Sequence, residues 1–242
     1  MNIKLTDIVR LRLVIFILLL PGALFIWKEY KLSELFSQSE PKFQIAGNRS
    51  LSKEELISLL RGKSLVPLTA LSYDEIEKKL LAHPRVLSVS ITKKPKNTTF
   101  IQIEERTTEF IINSGDTLYE VDSEFRILST DDVRSDGVLI LSGEFTPEDG
   151  KFSGSVIREF AASVTRALKL YPGLKNRLSE VELRSDGNVI AYTRYPSHIR
   201  VNAGIALESQ QVRKLYAALA YFENKNIKAK TLDLRGDDAV FQ

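Results

Sequence analysis

The feature that most constrains this chain is an uncharged apolar run near its N-terminus, from Leu13 to Trp27. The run is apolar on every side, whereas a helix buried in a soluble domain usually keeps a polar face. As a helix it would span roughly 22 Å, and the long stems of Arg12 and Lys28 would cover the rest of a hydrocarbon core of about 30 Å. The sequence therefore predicts a transmembrane helix over residues 13–30.

Charge sets the predicted orientation of this helix. Residues 1–12 carry Lys4, Arg10 and Arg12, which favour a cytoplasmic N-terminus and place everything after the helix outside the cytoplasm. A cleaved signal peptide is the alternative, but residues 25–30 are bulky and charged where a cleavage site needs small residues. Residues 31–42 are polar with Pro41 near their end, which is typical of a juxtamembrane linker.

The composition of the chain indicates a folded protein rather than a disordered one, with 43% hydrophobic and 27% charged residues. Its 34 basic and 31 acidic residues are interspersed, so the sequence offers no basic stripe for nucleic acid. The absence of cysteine excludes disulfides, thiolate metal sites and a cysteine nucleophile.

Two helices are predicted from a repeated start signal. Ser52 and Ser72 are each followed three residues later by a glutamate, Glu55 and Glu75. In such a capping box the serine and glutamate side chains each accept a hydrogen bond from a main-chain amide at the helix start. The second helix is expected to end near His83-Pro84, because the residue before proline avoids helical geometry.

Short strands flank these helices. A strand is predicted at 43–45, and two more are predicted where apolar residues alternate with polar ones, at 87–92 and 99–103. In the first of that pair, Leu87 is expected on the apolar face. The resulting order, β-α-α-β-β, predicts a small α+β domain over residues 43–107.

Residues 108–242 predict a second, mixed α+β domain with an extended sheet. Helical spacing of apolar residues occurs at 157–168 and 209–222, among several short strand patterns. The chain closes on two further strand patterns, Thr231 to Arg235 and Ala239 to Phe241.

The first domain resembles a POTRA domain, and the whole chain after the apolar run is similar to the FtsQ/DivIB family of bacterial division proteins. The resemblance rests on the order of short pieces in the first domain and in the second, which are residues 43–48, 51–56, 83–86, 93–95, 103–106, 118–122, 140–143, 202–204 and Leu232-Asp233-Leu234-Arg235. The chain departs from the family at three positions. Thr107 replaces a common proline, Glu124 a frequent turn glycine, and Gly236 an aromatic residue.

The resemblance implies a non-catalytic divisome scaffold that links early and late division proteins and regulates septal wall synthesis. It implies a single-pass protein of the inner membrane at the division septum. Its partners would be FtsB-like and FtsL-like bitopic proteins, held at the C-terminal edge of the second domain. The alternatives are a POTRA-containing component of outer-membrane protein assembly or secretion, and a secreted enzyme with a cleaved signal.

Motifs that could carry chemistry are weak in this sequence. Gly62-Lys63-Ser64 lacks the earlier glycine that a phosphate-binding loop needs. Two histidines, without cysteine or a helical histidine pair, do not indicate a metal site. The acidic pairs 131–132 and 237–238 are typical of solvated loops rather than of a catalytic pocket. No catalytic residue, cofactor, metal or small-molecule substrate is therefore predicted.

The predicted partner-binding residues are Leu234, Arg235, Ala239, Val240 and Phe241. A strand at the edge of a sheet presents unpaired amides and carbonyls, to which a partner peptide can add a strand. If Leu232 and Leu234 face the core, residues 239–241 would form the strand that follows. An ordinary core strand is an equally good interpretation of the same pattern.

Overall fold

The computed structural model describes residues 42–62, 68–95 and 97–242. The predicted transmembrane helix at 13–30 and the predicted cytoplasmic segment at 1–12 lie outside the described residues. The same is true of the predicted linker except for Lys42, which belongs to the first strand. Among the residues that the structure describes, no helix is both long enough and apolar enough to cross a membrane.

The described residues form twelve strands and four α-helices. In chain order the elements are β1 (Lys42–Ala46), α1 (Lys53–Arg61), a 3-10 turn (Leu68–Ala70), α2 (Tyr73–Leu81), β2 (Val86–Lys94), β3 (Thr98–Glu105), β4 (Phe110–Ser114), β5 (Thr117–Val121), β6 (Ile127–Thr130), β7 (Ile140–Ser142), α3 (Ser155–Leu170), a 3-10 turn (Pro172–Leu174), β8 (Leu178–Leu183), β9 (Val189–Thr193), β10 (Arg200–Gly204), α4 (Ser209–Lys225), β11 (Thr231–Asp233) and β12 (Val240–Phe241). This order confirms the predicted α+β class.

Both capping boxes are present. The amide of Glu55 donates to the Ser52 hydroxyl at 3.1 Å, and the amide of Ser52 donates back to the Glu55 carboxylate at 2.7 Å. Ser72 and Glu75 make the same exchange at the start of α2. Helix α2 ends at Leu81, as the following proline predicts. These helix starts are fixed locally, because each box satisfies amides that have no partner within the helix.

The described residues divide into two compact units, residues 42–46 with 90–102, and residues 47–89 with 103–242. In the smaller unit, β1 runs parallel to β3 with Ile45 opposite Ile101, and the sheet order is β1-β3-β2. Strand β2 differs from its prediction at its first residues. Leu87 is 44% exposed and Val86 is buried instead. The predicted alternation starts only at Val89, which is partly buried like Ile91.

In the larger unit, residues 108–242 form a nine-stranded sheet in the order β12-β11-β10-β9-β8-β7-β4-β5-β6. The pairs β4–β7, β7–β8 and β10–β11 are parallel, and the others are antiparallel. Parallel neighbours need crossover connections, which α3 and α4 provide for β7–β8 and β10–β11. Strand β6, which the sequence did not predict, forms one edge, and β12 forms the other.

Helices α3 and α4 bury one face each in the core of residues 108–242. The buried residues of α3 include Phe160 and Val164, and those of α4 include Leu215 and Phe222. This is the apolar spacing that predicted both helices. Helix α4 continues beyond its predicted end, to Lys225, where Asn226 adopts a left-handed conformation with φ 53°. Both helices thus pack against the sheet in one apolar core.

Candidate partner-binding edge

Strand β12 forms one edge of the sheet and pairs only with β11 among the described strands. Thr231 and Gln242 exchange two main-chain hydrogen bonds, each of 3.1 Å, and the next pair is Leu232 with Phe241. Hydrogen-bonded and non-hydrogen-bonded pairs alternate in an antiparallel ladder. The amide and carbonyl of Phe241 therefore point away from β11, in the direction from which an added strand would approach.

The side chains of β12 are largely exposed. Val240 is 60% exposed and Phe241 is 43% exposed. The Phe241 ring contacts Phe222 of α4 edge-on, with ring centroids 4.9 Å apart. Ala239 is partly buried against the core. The strand is therefore anchored on its helix side, while one apolar side chain and part of an aromatic ring remain available at the open edge.

Leu234 and Arg235 occupy different environments. Leu234 is fully buried, and its amide donates to the carbonyl of Asn202 at 2.9 Å. Arg235 is exposed and binds the Asp233 carboxylate through two guanidinium nitrogens, the shorter distance being 2.6 Å. Hydrogen bonds from Arg235 lower the pKa of Asp233, and the same bonds raise the pKa of Arg235. Leu234 thus supports this edge from inside the core, and Arg235 reaches its surface.

A groove of about 660 Å³ lies on the sheet face beside this edge. Asn202 of β10, Asp233 of β11 and Val240 of β12 are neighbours across the strands and line it together. Arg200 and Arg235 contribute positive charge to the same lining. The groove therefore combines both signs of charge with an apolar residue, which suits a peptide segment of mixed composition better than a uniformly charged ligand.

The connection between β11 and β12 is held by a side chain from α4. Lys214 Nζ donates to the carbonyl of Gly236 at 2.5 Å. A Cβ atom added at Gly236 would meet nothing nearer than the Asp238 carbonyl oxygen, at 3.9 Å. The first atom of a side chain at this position would therefore meet no clash.

His83 and Asp132, two of the residues considered for chemistry, have structural partners. His83 Nδ1 accepts a hydrogen bond from the amide of Arg85 at 3.2 Å, and burial followed by the charge of Arg85 lowers its pKa. Asp132 forms an ion pair with Arg134 at 2.6 Å. Within residues 42–62, 68–95 and 97–242, no group of three or more histidine, aspartate or glutamate side chains is arranged to hold a metal ion.

The structure brings Arg235, Ala239, Val240 and Phe241 together around the open edge, whereas Leu234 lies beneath it. The predicted partner-binding residues did not include Arg200 or Asp233, although both line the groove. The available signal was alternation, since Arg200 precedes a buried Val201 and Asp233 follows a buried Leu232. Alternation reveals the face of a strand but not which neighbouring strands complete the groove.

Comparison with known proteins locates the first domain within a family. Residues 41–106 match the family model of the POTRA domain, FtsQ-type. No curated protein matches the chain at a significant level. The match covers β1, α1, α2, β2 and β3, which are the elements that the sequence predicted for this domain.

Proposed function

Because the chain belongs to the FtsQ/DivIB family, as its FtsQ-type POTRA domain indicates, we propose that it is a non-catalytic scaffold of bacterial cell division. In this proposal the protein links early and late division proteins outside the cytoplasm and regulates septal wall synthesis. The POTRA domain occupies residues 43–107 and contributes protein–protein contacts. Residues 108–242 form the FtsQ-type β domain and hold FtsB-like and FtsL-like partners.

The observation that carries the partner proposal is the open edge at β12. Phe241 directs its amide and carbonyl away from β11, and Val240 stands beside the groove. A partner strand could add to the main chain of β12 while its side chains enter the groove, so that hydrogen bonds give affinity and side chains give specificity. Arg235, Ala239, Val240 and Phe241 would contact the partner, and Leu234 would hold the edge in place.

The proposal includes a location. The predicted transmembrane helix at residues 13–30 would anchor the protein in the inner membrane with residues 1–12 in the cytoplasm, at the division septum. Fractionation of cells tests this directly, because an anchored protein stays with the membrane after a carbonate wash. Recovery of a shortened mature chain in the soluble periplasm would contradict it.

The first test of partner binding is deletion of residues 236–242. Full-length protein and the deletion variant are each co-expressed with FtsB-like and FtsL-like proteins, purified, and examined for captured partner. Loss of capture by a variant whose circular dichroism is unchanged is the expected result. Unchanged capture would remove β12 from the proposed interface.

A sharper test separates the main chain of β12 from its side chains. Phe241→Pro removes an amide that faces outward, a position at which an edge strand tolerates proline. Phe241→Ala is the matched control, because it removes the ring and keeps the amide. If a partner strand adds here, capture falls at least about tenfold further in Phe241→Pro than in Phe241→Ala. Equal capture by the two variants would show that the contact does not involve strand addition at this residue.

A further inference from the structure

A carboxylate is fully buried in the middle of β5. Glu120 has no exposed surface, and it forms an ion pair with Arg85, which is only 1% exposed. Ser129 of β6 donates to the same carboxylate oxygen at 2.7 Å. Arg85 lies between α2 and β2, within the POTRA domain, whereas Glu120 and Ser129 belong to the nine-stranded sheet. A charge pair thus joins these two parts of the chain inside the larger unit.

The second oxygen of Glu120 connects to a second ion pair. It accepts hydrogen bonds from the amides of Arg134 and Ser135, at 3.1 and 2.8 Å. The side chain of Arg134 then reaches back to α1, where it binds the Glu55 carboxylate at 2.7 Å and the Ser50 carbonyl at 3.0 Å. One oxygen of the Glu120 carboxylate therefore binds the Arg85 side chain, and the other accepts a hydrogen bond from the main-chain amide of Arg134.

These two ion pairs run in opposite directions. In the first pair the arginine, Arg85, belongs to residues 47–89, and the glutamate, Glu120, belongs to the sheet. In the second pair the arginine, Arg134, lies between β6 and β7, and the glutamate, Glu55, belongs to α1. Within the described residues, the apolar core that the sheet forms with α3 and α4 contains no side chain from residues 47–89. The hydrogen bonds and ion pairs named above are polar links between the two parts.

Such a joint differs physically from an apolar one. A complete buried ion pair gives little net stabilisation, since water would solvate both separated ions, whereas one buried ion without its partner is strongly destabilising. The Arg85–Glu120 pair therefore favours two conditions, closed with the pair complete or open with both ions in water. The Arg134 arm is coupled to it, because the amides of Arg134 and Ser135 donate to the same carboxylate. Release also leaves each apolar core intact.

We propose that Arg85, Glu120, Arg134 and Glu55 form a two-armed latch that holds α1 and α2 against the sheet and opens as one event without unfolding either part. The latch fixes the orientation of the POTRA helices relative to the sheet that ends in β12. Opening it would free these helices to reorient while the β12 edge stays folded. The proposal does not depend on which partner binds at that edge.

A distance measurement tests the latch in the full-length chain. The protein has no cysteine, so Ser58→Cys on α1 and Ser185→Cys in the β8–β9 turn allow two spin labels to be placed at exposed positions. Electron–electron double resonance in detergent should give one narrow distance distribution for the wild-type background. Glu120→Gln should add a broad, longer component while circular dichroism stays unchanged. We expect the ratio of open to closed molecules to rise at least about a hundredfold.

The matched control is Glu182→Gln. Glu182 lies on β8 of the same sheet and accepts a hydrogen bond from Tyr192 at 2.9 Å, outside the latch. Its distance distribution should stay narrow. An unchanged distribution in Glu120→Gln, or an equally broad one in Glu182→Gln, would overturn the proposal. If Glu120→Gln fails to fold, Arg134→Gln decides, because its side chain is 25% exposed and its loss spares the buried pair. A broadened distribution then supports the latch, and a wild-type one rejects it.

Discussion

Two arginine–carboxylate pairs occupy the strands next to the two edges of the nine-stranded sheet. Asp233 on β11 lies beside edge strand β12 and binds Arg235, and Glu120 on β5 lies beside edge strand β6 and binds Arg85. The chemistry is the same, but the Asp233 side chain is 38% exposed and that of Glu120 has no exposed surface. We infer that the burial of such an ion pair, rather than its chemistry, determines how much the protein loses when one partner is removed.

At the β6 end of the sheet, which we call its closed end, the buried carboxylate is fully paired. Both oxygens of Glu120 accept hydrogen bonds, from Arg85, Ser129 and the amides of Arg134 and Ser135. At the other end, the outward amide and carbonyl of Phe241 face no strand of the described chain. The first arrangement holds two parts of one chain together, and the second suits the addition of another chain.

The largest effect is expected from Glu120→Gln, which removes the negative charge of the buried ion pair beside edge strand β6. Removing the charge leaves the Arg85 guanidinium buried without a counter-ion, which costs about 3–5 kcal/mol in the closed form. Hydrogen exchange should therefore accelerate at the amides of Arg134 and Ser135, while the core strands β8 and β9 stay protected. Unchanged protection at both amides would show that the pair is not needed for closure.

A smaller effect of the same kind is expected from Arg85→Met. Here the buried carboxylate keeps three donors, Ser129 and the amides of Arg134 and Ser135, so its loss of stabilisation is only about 1–3 kcal/mol. The same exchange experiment should give intermediate rates at the two amides. A loss as large as that in Glu120→Gln would mean that those donors do not stabilise the isolated charge.

The partly exposed pair of the latch, Arg134 with Glu55, should make the stability of the protein depend on pH. Hydrogen bonds from Arg134, and then from the amide of Ser52, lower the pKa of Glu55 from 4.5 to about 2. Since the folded protein holds the proton less tightly, this contribution to stability is complete above pH 4.5 and is lost as pH falls toward 2. Arg134→Gln should flatten the fall in urea midpoint over that range.

Arg126→Gln provides the control for this pH experiment. Its ion pair with Glu124 is more than half exposed on both sides, so the pH slope should match that of the wild type. A slope in Arg134→Gln that equals the wild-type slope would contradict the strength assigned to the Arg134–Glu55 bond.

The smallest effect is expected at the open end. Asp233→Asn removes the charge from an exposed pair, in which water competes with the guanidinium for the carboxylate. The free energy of unfolding should fall by less than about 1 kcal/mol in urea titration. A loss comparable to that of Glu120→Gln would show that exposure does not separate the two pairs.

The parts of the fold that were predictable from sequence are those decided by near neighbours. Ser52 and Glu55 lie one helical turn apart, so their residue types alone predicted the start of α1, and apolar spacing predicted α3 and α4. The parallel pairing of β7 with β4 and β8 was not predictable, because it depends on strands that are remote in sequence.

The same distinction applies to the candidate sites. The apolar pattern at residues 239–241 predicted a strand, but it did not distinguish an edge strand from a core strand. Glu120 gave a local signal, a charge within an apolar strand, but the signal had no meaning until the fold brought Arg85 to it. Leu87 was misplaced for a related reason, since alternation in β2 does not reveal which residue begins the buried register.

The length of β12 has a consequence for how this protein behaves in a crowded compartment. The strand is two residues long, so a second copy of the chain that docked there would gain few hydrogen bonds and would lose its own freedom of movement. Self-association along this edge is therefore a poor competitor. In the proposed interface, a partner would have to occupy the adjoining groove as well as pair with this short strand.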